Sequence, residues 1–128
     1  CHVILRGGEA PNYSKNDIKR VNEDLKNSNI TQKIMVDMSH GNSQKQFKKQ
    51  LIVNKDISDQ IASGDQSIFG VMIESNLEEG NQKIDSLKNL KYGQSVTDAC
   101  VSWKDTEVML KLLAKAVDAR REKLKRSA

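Results

Sequence analysis

The sequence predicts an α/β fold with parallel strands and outer helices, built as three βα units of a larger barrel. Two observations carry this. Three short apolar runs, Val3-Ile4-Leu5, Ile34-Met35-Val36 and Phe69-Gly70-Val71-Met72-Ile73, lack the polar alternation of a half-exposed strand. That is the pattern of a parallel sheet buried on both faces. Each run then passes into a polar segment carrying a chemically capable residue: Arg6, His40 or Glu74. Parallel sheets and barrels present active sites in this way, at the carboxyl ends of their strands.

The first strand is expected over residues 2–5, where Gly7 and Gly8 break it. Ser14 suits the N-cap of a helix over 15–27, with Ile18, Val21 and Leu25 at helical spacing and Asn27-Ser28-Asn29 ending it. The second strand covers 33–38. A glycine-serine loop leads to a helix over about 45–62, with Phe47, Leu51, Ile57 and Ile61 facing inward and Gly64 as its stop. The third strand covers 67–73. A polar loop from 75 to about 102 follows; loops this long inside compact domains are usually functional or disordered. The final helix is expected over about 105–125, with Val108, Met109, Leu112, Leu113, Ala116 and Val117 as its apolar stripe. Right-handed crossovers make the three strands parallel. Three strands alone leave two apolar edges, which soluble proteins avoid, hence the larger barrel.

The 128 residues suit one domain. The net charge of +4 comes partly from Arg120-Arg121-Glu122-Lys123-Leu124-Lys125-Arg126. Such a tail can attract nucleic acid or anionic lipid. With no aromatic platform or nucleic-acid motif beside it, it reads as a solvated helix end whose cations suit the helix dipole. Neither a nucleic-acid nor a membrane partner is expected: no apolar run approaches the ~20 residues of a membrane helix, and no secretory signal pattern is present. Cys1 and Cys100 have neither metal-type spacing nor the number for a disulfide framework, so a cytoplasmic setting is expected. The chain opens on Cys1, directly before a strand, as if cut from something longer.

Arg6, at a strand mouth, can grip phosphate or carboxylate bidentately, or pair with a structural carboxylate. Gly7 and Gly8 would let backbone approach a ligand closely. His40 is a candidate metal ligand or general base; His2, at the very start, is a weaker one. Glu74 and Asp98 are candidate hard oxygen ligands, or else ordinary loop acids or caps. His40, Glu74 and Asp98 would all open on one end of the sheet, an N,O set suited to manganese, iron, cobalt or zinc. Asp37 could orient a neighbour or pair with a lysine. Lys45, Lys48 and Lys49 read as a solvated helix face, and Cys100 as a buried thiol.

Five blocks, Cys1-His-Val-Ile-Leu-Arg-Gly-Gly8, Ser39-His-Gly-Asn-Ser-Gln-Lys-Gln-Phe-Lys-Lys-Gln50, Gly70-Val-Met-Ile-Glu-Ser75, Glu79-Gly-Asn-Gln82 and Tyr92-Gly-Gln-Ser-Val-Thr-Asp-Ala-Cys-Val-Ser-Trp103, together closely resemble one family. It is the class I 3-deoxy-D-arabino-heptulosonate 7-phosphate synthases, also called phospho-2-dehydro-3-deoxyheptonate aldolases. The resemblance implies a (β/α)8 barrel, with residues 1–128 as the carboxyl-terminal part of that single domain. It implies the first step of the shikimate pathway, from phosphoenolpyruvate, erythrose 4-phosphate and water, in a homo-oligomeric parent. It implies one divalent metal held by His40, Glu74 and Asp98, with a cysteine ligand in an earlier block that this chain lacks. It implies Arg6 as the phosphoenolpyruvate-binding arginine, Asp98 as a further substrate contact, and His40 as a proton carrier where its metal bond is weak. The chain by itself would be inactive. The alternative is a structural module whose strand edges pair with another chain.

Overall fold

A computed structural model describes residues 2–85 and 87–127; Cys1 and Ser86 lie outside the described residues. The elements are β1 (Val3–Leu5), α1 (Lys15–Asn27), β2 (Ile34–Asp37), α2 (Lys49–Ala62), β3 (Ile68–Met72) and α3 (Trp103–Ser127), with a short 3-10 turn at Leu87–Asn89. The strands form one parallel sheet in the order β1-β2-β3. Leu5 pairs with Val36, and Val36 with Val71, so the three strand ends lie side by side. The loops after them therefore leave the sheet at one end.

Local chemistry explains the boundaries. Ser14 and Asp17 form a reciprocal capping box at the start of α1: the Ser14 hydroxyl accepts from the Asp17 amide at 3.3 Å, and the Asp17 carboxylate accepts from the Ser14 amide at 3.2 Å. This satisfies amides that the helix itself cannot. The helix stops where Asn29 turns left-handed (φ 54°), while the Asn29 and Ile30 amides return to the Lys26 and Leu25 carbonyls. Gly64 (φ 110°) ends α2 with the same pair of returning bonds, to Ile61 and Gln60. Near the end of α3, the Arg120 guanidinium donates to the Asp65 and Ile68 carbonyls at 2.9 and 3.0 Å, tying that helix to the entry of β3.

One core joins the sheet to the helices. Leu5, Ile34, Val36 and Ile68 from the strands pack with Ile18, Leu25, Val53, Ile57, Ile61, Met109, Leu113 and Ala116. Successive strand residues point to opposite faces; the other face carries Ile4 and Met72, 44% and 37% exposed, with Phe69, 45% exposed, at the bulge between Ile68 and Gly70. The expectation of a sheet buried on both faces is therefore corrected. The second face is apolar as expected, but nothing among the described residues covers it. On that face Met35 lies across Gly70, whose missing Cβ leaves the room.

Two helix readings are also corrected. Val108 is 56% exposed, because the inward stripe of α3 is narrower than its apolar pattern and runs through Met109, Leu113 and Ala116. The second helix begins at Lys49, not near Lys45, because Gln44 and Lys45 both take positive φ in a turn closed by the Lys45 amide on the His40 carbonyl. Lys45 therefore belongs to the loop. Lys48 bridges loop and helix, pairing with Glu79 and, at 3.1 Å, with Asp105. Those two hydrogen bonds, with Glu79 first, raise the Lys48 pKa above its ordinary value.

Candidate metal centre

The centre is built where β2 and β3 end. Past the end of β2, the Asp37 carboxylate accepts the Ser39 amide at 2.8 Å, an Asx-type turn that swings the chain out of the strand direction. His40 follows in a left-handed conformation (φ 34°). Its Nδ1 lies 2.6 Å from the other Asp37 oxygen. Its Nε2 then faces Glu74 Oε1 at 3.3 Å and Asp98 Oδ2 at 3.8 Å.

Glu74, just beyond β3, is held at three points. Gln50, fully buried on the inward face of α2, accepts the Glu74 amide at 3.0 Å and donates to its carbonyl at 3.1 Å. This side-chain amide takes the place of a neighbouring strand where the sheet ends. The Ser39 hydroxyl donates to the Glu74 carboxylate at 2.7 Å and fixes its direction. Asp98 arrives on the long loop, which paired Gly80–Cys100 backbone bonds close on itself and the Val101 amide fastens to the Glu74 carbonyl. Its side chain is 68% exposed, against 22% for His40 and 24% for Glu74.

The donor set fits a divalent cation. One ligand atom from each of His40, Glu74 and Asp98 lies within 4.8 Å of the others. Ligand atoms about 2 Å from one ion sit roughly 3 to 4 Å apart, so the observed separations need little change. Two carboxylates beside one imidazole lone pair are mutually repulsive unless positive charge lies among them. Imidazole with carboxylates suits manganese, iron, cobalt or zinc more than calcium. A small cleft adjoins the centre, lined by Ser39, His40, Lys45, Phe47, Glu74, Asp98 and Ala99.

Arg6 is placed differently. Its backbone belongs to the same end of the sheet, since its carbonyl accepts the Gly41 and Asn42 amides at 3.0 and 3.3 Å. Its side chain is exposed, pairs with no carboxylate among the described residues, and does not line the cleft. The close approach expected at Gly7 is to protein: a Cβ there would stand 2.5 Å from the Gly41 carbonyl carbon, while Gly8 faces open space. Asn42, almost fully buried, ties the strand ends together by donating to the Leu5 and Asp37 carbonyls at 3.0 and 2.8 Å. Cys100 is half-buried and donates to the Asp98 carbonyl at 3.5 Å. Burial first, then the nearby Glu74 and Asp98 charges, push its thiol pKa up, against a lowering hydrogen bond from Ser95. Its sulfur is not among the clustered ligand atoms.

Sequence reasoning gave no role to Ser39, Asn42 or Gln50, read Phe47 only as a core residue of the second helix, and put Lys45 on a helix. Gln50 did carry a signal: it stands one turn before Val53 and Asn54 and two before Ile57, on the face that α2 buries.

Residues 1–111 match the DAHP synthetase I family. The chain belongs to that family. This DAHP synthetase I chain is 52% identical over 121 residues to the Phe-sensitive phospho-2-dehydro-3-deoxyheptonate aldolase of Escherichia coli (strain K12), covering 94% of the chain and 35% of that protein. It is 50% identical over 123 residues to the phospho-2-dehydro-3-deoxyheptonate aldolase of Haemophilus influenzae, covering 95% and 34%. The solved structure of the aldolase from Francisella tularensis SCHU S4 superposes with a TM-score of 0.89 at 53% identity, over 93% of this chain and 35% of that one. The DAHP synthetase I chain thus spans about a third of the length of these relatives.

Proposed function

We propose that this chain supplies the metal-binding rim of a 3-deoxy-D-arabino-heptulosonate 7-phosphate synthase, as the last three βα units of a (β/α)8 barrel formed as a single domain. The synthase condenses phosphoenolpyruvate with erythrose 4-phosphate and water, and releases inorganic phosphate. The observation that carries this reading is the convergence of His40 Nε2, Glu74 and Asp98 from two strand ends and the long loop. The uncovered apolar sheet face, with Ile4, Phe69 and Met72, supports the barrel: further strands would enclose it. The setting is the cytoplasm and the parent is a homo-oligomer, without nucleic-acid or membrane partners. No helix among the described residues is long and apolar enough to cross a membrane.

His40, Glu74 and Asp98 would hold one divalent ion: manganese, iron, cobalt or zinc. When bound, the ion supplies Lewis-acid polarisation of an aldehyde oxygen or of a water. Ser39 and Gln50 keep the Glu74 carboxylate aimed into the cleft. Asp98, the most exposed of the three, is placed to touch substrate as well. The Arg6 guanidinium is free to take a phosphate or carboxylate of phosphoenolpyruvate through two parallel hydrogen bonds. His40 would carry a proton only where its Nε2 bond to the ion is weak.

The test is a cobalt(II) titration of this chain, followed by turnover in a full-length synthase carrying it. One ion per chain is expected, lost on H40A or E74A. In the full-length enzyme, alanine at Arg6, His40, Glu74 or Asp98 is expected to lower turnover by about a hundredfold or more. Near-normal turnover in all four variants overturns the reading.

A further inference from the structure

We propose that Asp37 is a positioning residue that locks His40 in the Nδ1–H tautomer, leaving the Nε2 lone pair directed at the Glu74 and Asp98 carboxylates. The purpose of this lock rests on the metal reading above; its geometry does not.

Asp37 is 2% exposed, and each of its oxygens lies at hydrogen-bond distance from a nitrogen. Oδ1 accepts the Ser39 amide at 2.8 Å, and Oδ2 lies 2.6 Å from His40 Nδ1. An ionised carboxylate only accepts hydrogen bonds, so the proton in the second contact belongs to Nδ1. A neutral imidazole carries one ring proton, which leaves Nε2 bare. No lysine reaches Asp37 among the described residues, so its buried charge is answered by these donors alone. Buried charges are tolerated only when so satisfied. Ser39 couples the two halves of the arrangement: its amide holds Asp37 and its hydroxyl holds Glu74.

Asparagine at position 37 tests the lock because it has the same shape and one acceptor fewer. The Ser39 amide can only donate, so it claims the asparagine oxygen. The amide nitrogen then faces His40 Nδ1 and donates to it. That forces the ring proton onto Nε2, where it blocks the cation. Loss of such an outer partner of a metal-bound histidine typically costs about 10–100-fold in metal affinity.

The sequence has two histidines, so the measurement uses a His2→Gln background with His40 as the remaining imidazole. Nitrogen-15 NMR of the metal-free chain, at a pH where the ring is neutral, is expected to show the Nδ1–H tautomer. Asp37→Asn is expected to convert it to Nε2–H and to weaken cobalt(II) binding about 10–100-fold, with the circular dichroism spectrum retained. An Nε2–H ring in the parent overturns the proposal without any variant at position 37, so an unfolded variant would not shield it. A folded Asp37→Asn with unchanged tautomer overturns it as well. If the parent binds no cobalt(II) while its tautomer still depends on Asp37, the lock stands and the metal reading falls.

Discussion

Replacing Gln50 by methionine isolates the clamp on Glu74. The two side chains are close in volume, so the core around α2 stays filled, and what is lost is a pair of hydrogen bonds. The two bonds are unequal. The Glu74 carbonyl keeps a second donor, the Val101 amide at 3.0 Å, so losing Gln50 Nε2 costs only the net value of one bond, about 0.5–1 kcal/mol. The Glu74 amide has Gln50 Oε1 as its partner at 3.0 Å and is left unsatisfied, at about 1–2 kcal/mol in a partly buried position. The total is about 1.5–3 kcal/mol. Unfolding entropy of about 2.1 cal/mol/K per residue converts this to a fall in Tm of roughly 6–11 °C for a chain of this length. Scanning calorimetry of the two proteins measures it. A fall under about 3 °C would show that water or a backbone shift replaces the clamp, and would refute the claim that Gln50 holds Glu74 in place.

Further outcomes follow from other contacts. Gly7→Ala is expected to cost at least about 2 kcal/mol in urea unfolding, since it combines a left-handed alanine with a Cβ driven into the Gly41 backbone. The Lys48 bridge to Glu79 and Asp105 holds its pKa above the ordinary value of 10.5. Its stabilising effect is therefore complete below the unfolded-state pKa and disappears as pH rises through the raised folded value. Lys48→Met should lower Tm at neutral pH, with the difference from the parent closing above that value and in high salt. On the two faces of the sheet, Ile34→Ala should cost about 2–5 kcal/mol, whereas Phe69→Gln, on the uncovered face, should shift stability of this chain by less than about 1 kcal/mol. Denaturant midpoints compare the two directly.

The parts of the fold that were legible are those where local chemistry and tertiary packing agree. Residues 15–27 read as a helix because the Ser14–Asp17 box, the spacing of Ile18, Val21 and Leu25, and the asparagine-rich stop are all local. The parallel strands were legible because unbroken apolar runs have few other uses. The start of α2 was not, since a lysine-rich stretch with good helix propensity is overridden at Gln44 and Lys45 by a turn that the His40 carbonyl closes. Covering of the second sheet face was misread because an apolar run states what a strand needs, not whether this chain provides it. At the site, strand ends pointed to His40 and Glu74, and the family's motifs added the weight of Asp98. Arg6 shares their end of the sheet but not their cleft. The supporting residues escaped notice for a physical reason. Ser39, Asn42 and Gln50 act through backbone carbonyls and amides of distant segments, and a hydrogen bond of that kind has no sequence period.

The three candidate ligands stand at positions 40, 74 and 98, and no two of them belong to the same local turn. Nothing short of an assembled sheet with its long loop docked can gather them, so the unfolded chain has no comparable trap for a cation. Ion uptake is then a clasp on folding: by mass action, a cation bound a hundred times above its Kd would add about 2.7 kcal/mol to the native state. A chelator, in turn, would be felt as a loss of heat resistance across the whole chain.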